Sequence, residues 1–162
     1  MTVDANQFKN ALKLWASGVT VVTAQSEEQG LKGMTATSFS SLSIEPPQIL
    51  VCLNQLTDTG AIVLETRQFA VNILTSQQQA VSNQFAGGTT QEERFAQVAW
   101  ETGDNGAPIL TEALASLECT VVQQVLAGTH WVVIAEVQKV ICRSGEPLLY
   151  YSGAYRQLAA AI

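Results

Sequence analysis

Histidine and cysteine are scarce in this chain: one histidine, His130, and three widely spaced cysteines, Cys52, Cys119 and Cys142, in 162 residues. Zinc and iron–sulfur sites draw on close-spaced Cys or His pairs, so no metal chemistry is expected. An odd number of cysteines, each within a Val/Ile/Leu-rich stretch, instead predicts reduced core residues that pack as small hydrophobes. Positive charge is scarce too. Eight Lys and Arg against fourteen Asp and Glu give a net charge of −6, with no basic cluster. Phosphate neutralisation needs grouped cations, so nucleic acid is not an expected partner. No apolar run approaches the ~18 residues of a membrane helix, and "MTVDANQFKN" lacks the charged-then-apolar pattern of a signal peptide. No membrane association and a cytoplasmic setting are expected.

Several catalytic motifs are missing as well. There is no G-x-G-x-x-G after a strand, no G-x-x-x-x-G-K-[ST] and no G-x-S-x-G. A Rossmann dinucleotide site, a P-loop and a hydrolase nucleophile elbow are therefore unsupported. A Ser-His-Asp triad has His130 alone to draw on, and nothing places a serine beside it.

What is present reads as one β-rich domain over residues 1–162, large enough to bury its own core. Asp4 and Gln7, then Phe8, Leu12 and Trp15 at helical spacing, predict a capped amphipathic helix ending near Ser17-Gly18. "VTVVTA" (19–24) and Met34 to Ser41 predict a strand pair around the turn "QSEEQG". "QILVCLN" after the double proline predicts a central strand, "TGAIVLETR" a short helix, and "FAVNIL" another strand. "SQQQAVSNQFAGG" predicts a helix capped by Ser76 and ended by Gly87-Gly88. "TTQEERFAQVAWETGDNGAP" predicts a polar excursion over the surface. Two long strands hinged at Ala127-Gly128-Thr129 and a final strand in "PLLYYSGAYRQL" complete an antiparallel barrel or sandwich, class β or α+β. Trp15, Trp100 and Trp131 are expected in the core or at an interface.

The densest chemical signal is "KGMTATSFSSLSIEPP", where six of the nine residues Thr35 to Ser43 carry hydroxyls. On one continuous strand, alternation sends Thr35, Thr37, Phe39 and Ser41 to one face and Met34, Ala36, Ser38 and Ser40 to the other. A solvated polar edge strand and the wall of a site for a flat polar heterocycle both fit that composition.

The ordered blocks "ASGVTVVTA", "GMTATSFSSLSIEPPQILVCLN", "FAVNIL", "QFAGG", "ERF", "APIL", "ALASLECTV", "AGTHWVVIAEV" and "PLLYYSGAYRQL" resemble the short-chain flavin reductase family, from about Leu12 to Leu158. The resemblance implies a split β-barrel of the FMN-binding type, a homodimer, and an NAD(P)H:flavin oxidoreductase. Such an enzyme passes a hydride from NADH or NADPH to FMN or FAD and supplies reduced flavin, by diffusion, to a flavin-dependent monooxygenase. It further implies ring-side contacts at Thr35, Ala36, Thr37 and Ser38, a phosphate-side loop with Asn54, Thr57 and Thr59, and flavin contacts at Phe85 and Ala86. His130 matches the histidine on the nicotinamide side, while its residue type alone equally fits a turn histidine bonded to backbone. Arg94 and Tyr155 are candidate dinucleotide or flavin contacts; a solvated charge and a packed tail are their alternatives. Where the family often has a basic residue in the phosphate loop, this chain has Gln55, Leu56 and Asp58, and the nearest cation is Arg67. An FMN-retaining electron-transfer flavoprotein and a non-catalytic flavin-binding module share the same resemblance.

Overall fold

The β-branched runs pair into three antiparallel sheets, described over residues 2–159 of a computed structural model. Helix α1 (Ala5–Leu12) leads into β1 (Ser17–Gly18), β2 (Thr20–Ser26), β3 (Gly30–Ala36), β4 (Phe39–Ser43) and β5 (Gln48–Asn54). Helix α2 (Asp58–Thr66), β6 (Gln68–Ile73), α3 (Gln79–Ala86) and α4 (Gln91–Ala96) follow. Next come the short hairpin β7 (Trp100–Thr102) and β8 (Pro108–Leu110), and the long one, β9 (Ala115–Ala127) and β10 (His130–Cys142). Strands β11 (Leu149–Tyr151) and β12 (Ala154–Arg156) pair beside β1.

The main sheet has seven strands in the order β3-β2-β6-β9-β10-β5-β4. Its edges, β3 and β4, are consecutive in the chain and separated by Thr37 and Ser38 alone. Laid flat, six spacings of about 4.8 Å would part those edges by about 29 Å. Three Cα–Cα steps from Ala36 to Phe39 span at most about 11 Å. The sheet therefore curls until its edges meet at one corner, a barrel left split between β3 and β4.

Burial follows the curl. Val22, Val51, Leu53, Phe69, Val71, Val121 and Val133 fill the barrel, while Val19 and Val21 pack on the opposite face with Leu74, Phe85, Phe95 and Leu110. Burial on both faces is why "VTVVTA" is apolar almost throughout rather than alternating. Asn72, buried inside, is fully satisfied. Asn72 donates to Val21 O and Thr23 Oγ1 at 3.2 and 3.0 Å, and its Oδ1 accepts from Leu110 N and Ser116 Oγ at 3.0 and 2.9 Å.

Four expectations need correction. Helix α1 stops at Leu12, because Lys13 caps it and Ser17–Gly18 pair with β11; Trp15 is 78% exposed, not core. Helix α3 starts at Gln79, since Ser76 N–H instead donates to Glu146 O and the Gln78 side chain accepts from Thr75 N. The surface excursion contains α4 and the β7–β8 hairpin, and it buries Phe95, Ala107, Ile109 and Leu110. Its overlooked signal is the capping box of Thr90 and Glu93. Cys142 is exposed at the end of β10 and Cys52 is half-buried, leaving Cys119 as the buried thiol.

Candidate active site

The expected single strand from Met34 to Ser41 is broken at Thr37 and Ser38, because Ala36 ends one sheet edge and Phe39 begins the other. The hydroxyls therefore leave the two-face pattern and take individual partners. Thr35 Oγ1 donates to Ser82 O on α3 at 2.6 Å, and Ala36 is buried with its carbonyl accepting from Thr20 Oγ1 at 2.7 Å. Ser38 Oγ donates to Cys52 O at 2.7 Å, and Ser38 O accepts from Cys52 N at 3.0 Å. Between them, Thr37 is exposed. Among the described residues its hydroxyl and the N–H groups of Thr37 and Ser38 make no hydrogen bond. The split thus presents two adjacent backbone donors and a hydroxyl with nothing among the described residues to answer them.

Two grooves meet there. One, of about 370 Å³, is walled by Thr35, Thr37, Ala86, Tyr150, Gly153 and Tyr155. The other, of about 490 Å³, continues past Thr37 and Ser38 to α1 and the β11–β12 turn, sharing Thr37, Tyr150 and Gly153 with the first. Tyr155 is anchored rather than swinging: its hydroxyl donates to Asn83 Oδ1 at 2.8 Å and lies 2.9 Å from Ser82 Oγ. Tyr150 meets it edge to face at 5.4 Å. Phe85 lies under this wall, 1% exposed, and its neighbour Ala86 faces the groove. Ser82, Asn83, Tyr150 and Gly153 were not singled out from the sequence. The turn "YSG" inside "YYSGA" was their nearest signal.

A second group gathers where β5 ends. His130 is the ladder partner of Asn54, and Gln55 N donates to Thr129 O at 3.0 Å. Asn54 Oδ1 accepts from Leu56 N at 2.9 Å. Thr57 Oγ1 donates to Asn54 O at 2.8 Å and accepts from Gly60 N at 3.2 Å, so it caps α2. Thr59 is buried in the first helical turn. His130 is exposed, with Nδ1 2.9 Å from Thr129 Oγ1; that contact orients the ring with Nε2 unengaged among the described residues. It borders neither groove in a single chain.

Arg94 belongs to a third place, a cleft of about 820 Å³ with Lys32 and Asp58 on its walls. Its guanidinium donates to Gly33 O at 2.8 Å and Thr89 O at 3.2 Å, tying α4 to β3. This cleft is larger than either groove at the split, yet among the described residues it shares no lining residue with them and none of their open donors. The perturbed ionisations also lie elsewhere. Burial, helped by the Glu118 carboxylate, pushes the Cys119 thiol up to about 12. The hydrogen bond that its ammonium donates to the Asp104 carboxylate raises Lys139.

An open corner of donors unpaired among the described residues, small side chains and aromatic edges suits a flat polar ring whose chemistry resides in the ligand. The particular family follows from comparison. The profile described as "Flavin reductase like domain" matches residues 12–159, and the chain belongs to that family. It is 34% identical over 158 residues to "FMN reductase (NADH) RutF" of Enterobacter cloacae, covering 97% of this chain and 96% of that one. It is 40% identical over 153 residues to the reductase component of a 4-nitrophenol 4-monooxygenase/4-nitrocatechol 2-monooxygenase of Rhodococcus opacus, covering 94% and 80%. Among solved structures, the Streptomyces globisporus C-1027 NADH:FAD oxidoreductase SgcE6, in complex with NAD and FAD fragments, superposes with a TM-score of 0.89. It is 30% identical, over 98% of this chain and 97% of that one.

Proposed function

We propose that this chain is an NAD(P)H-dependent flavin reductase that takes FMN or FAD at the split between β3 and β4. The observation that carries the reading is the pair of unpartnered N–H groups at Thr37 and Ser38 beside the open Thr37 hydroxyl. A flavin ring has a polar edge of carbonyl oxygens and ring nitrogens that needs such donors, and Thr35, Ala36, Thr37 and Ala86 are small enough for a ring to approach the backbone. When bound, the flavin supplies the hydride acceptor at N5 for C4 of the dihydronicotinamide. The protein's own part is to bind, orient and shield, which explains a site without an acid–base pair.

The loop of Asn54, Thr57 and Thr59 shapes the phosphate side. The Thr57 cap takes Gly60 N–H and leaves the Asp58 and Thr59 N–H groups at the helix start for an anion. Asp58 sits there with no Lys or Arg between Asn54 and Thr66, so the hold is weak and reduced flavin can leave. Release suits a reductase component serving a monooxygenase partner through free reduced flavin; the Rhodococcus relative is named as the reductase component of a monooxygenase. The cytoplasm, where NAD(P)H is plentiful, is the setting; among the described residues no helix is long and apolar enough to cross a membrane.

The active unit is a homodimer. Leu56, Val122, Val125 and Leu126 lie 44–87% exposed around the hairpin tip that carries His130. A second copy covering that tip buries them and completes the nicotinamide side with His130. Sedimentation of wild-type protein is expected to give a dimer.

The test of function is NADH and NADPH oxidation followed with FMN and FAD added in turn. Rates should scale with added flavin, and His130→Ala should lower kcat about tenfold through lost orientation. Activity independent of added flavin would indicate a retained cofactor instead. Kinetics unchanged in His130→Ala would remove the histidine from the site.

A further inference from the structure

Lys9 and Lys13 stand four residues apart at the end of α1, on one face of the helix. Both line the 490 Å³ groove that runs into the β3–β4 split. Among the described residues no Asp or Glu lines that groove, although the chain has fourteen acids to eight bases. Trp15, 78% exposed, and Tyr151 present aromatic rings along the same wall. The wall is built, because Ser152 N donates to Lys13 O at 2.8 Å and fastens the end of α1 to the β11–β12 turn. The groove therefore has two unopposed cations along it, aromatic surface, and one end at Thr37, where the flavin is placed.

A chain of net charge −6 repels an anionic substrate overall, and a local excess of positive charge is where such a substrate gains by approaching. The hydride donor has the chemistry that this lining answers: a flat reactive ring, a doubly anionic pyrophosphate and a second flat ring. We propose that the groove between α1 and the β11–β12 turn holds the pyrophosphate and adenosine of the nicotinamide dinucleotide, with Lys9 and Lys13 facing the phosphates and Trp15 receiving the adenine. This rests on the flavin reductase reading and deepens it by assigning the donor's path.

The experiment compares wild type with Lys9→Gln/Lys13→Gln. Two substrates are used, NADH and 1-benzyl-1,4-dihydronicotinamide, which transfers the same hydride but carries no phosphate. ADP-ribose, which carries the pyrophosphate without the nicotinamide, serves as competitive inhibitor. Two solvated charge contacts predict a rise of roughly 5- to 10-fold in both KM for NADH and Ki for ADP-ribose. The kcat with NADH, the flavin KM and the kinetics with the benzyl donor should stay within about twofold. Added salt should weaken ADP-ribose binding to wild type more than to the variant. Equal losses with NADH and the benzyl donor, an unchanged Ki, or a change of oligomeric state in the variant would overturn the assignment. Titration of Trp fluorescence with ADP-ribose separates the two readings. If wild type oxidises neither NADH nor NADPH with either flavin, the reductase reading fails. Weaker ADP-ribose binding by the variant in that titration would still uphold the groove, and equal binding would remove it too.

Discussion

Replacing Gly33 by alanine is expected to disturb the flavin groove through the core beneath it. A Cβ there stands 2.5 Å from Phe85 Cε1, 2.8 Å from Phe85 Cδ1 and 3.2 Å from Phe95 Cζ. Carbon atoms rest at about 3.5–4.0 Å, so the Phe85 ring must retreat by about 1 Å. It has little room. Phe85 is 1% exposed and meets Phe95 edge to face at 5.2 Å, and Phe95 meets Trp100 at 5.9 Å. Nor can β3 yield freely: Gly33 N donates to Gln91 Oε1 and Gly33 O accepts from Arg94, each at 2.8 Å. Overpacking of this kind costs about 1–3 kcal/mol, against about 0.4–1 kcal/mol returned by the stiffer unfolded chain. The clash wins, and at about 2–4 °C per kcal/mol the melting temperature should fall by roughly 1–8 °C. Relief comes from movement of α3, which carries Ser82 and Ala86 beside the groove, so the flavin KM should rise roughly threefold or more. Thermal melts followed by far-UV circular dichroism and initial rates against FMN measure both effects. Gly18→Ala is the control, since a Cβ there meets nothing within 4 Å. A Gly33→Ala protein as stable as wild type, with the same flavin KM, would refute the coupling of this core to the groove.

Three further outcomes are expected. Thr57→Ala removes the α2 cap and should lower stability by about 1 kcal/mol, measurable by urea denaturation, with Thr57→Ser restoring most of it. For the thiols, a disulfide reagent at pH 8 should modify Cys142 quickly and reach Cys119 only on unfolding. Burial, then Glu118, lifts the Cys119 pKa from 9.0 to about 12 in the folded protein. The folded state therefore keeps a proton that the unfolded chain gives up, and the thiol's contribution is complete below pH 9 and lost as pH rises toward 12. Urea midpoints between pH 9 and 12 should fall less steeply in Cys119→Ala than in wild type. Equal slopes would show that this thiol does not govern the alkaline limit.

Local chemistry carried much of the outcome. The Asp4 cap, the β-branched run of β2, the β9–β10 hairpin and the hydroxyl-rich approach to the double proline were all legible, because each depends on neighbours within a few residues. The order of the blocks, with His130 after the hairpin glycine, was enough to point to the flavin reductase family. Thr90 and Glu93 carried a readable capping box whose helix was hidden by the polarity around it.

Other features depend on partners far away in the chain. The sequence from Met34 to Ser41 has strand character throughout, and nothing local marks a break at Thr37. The break comes from the curl of seven strands, which makes Ala36 and Phe39 the ends of opposite edges and frees the N–H groups between them. Arg94 and Phe85 turn inward for the same reason: their partners, Gly33 O and the Gly33 backbone face, come from a strand some fifty to sixty residues earlier. The ordered blocks, through their resemblance to the flavin reductase family, pointed to a flavin as the ligand. Closure of the sheet decided where the open donors stand, because a backbone group is free only where the tertiary fold withholds a partner.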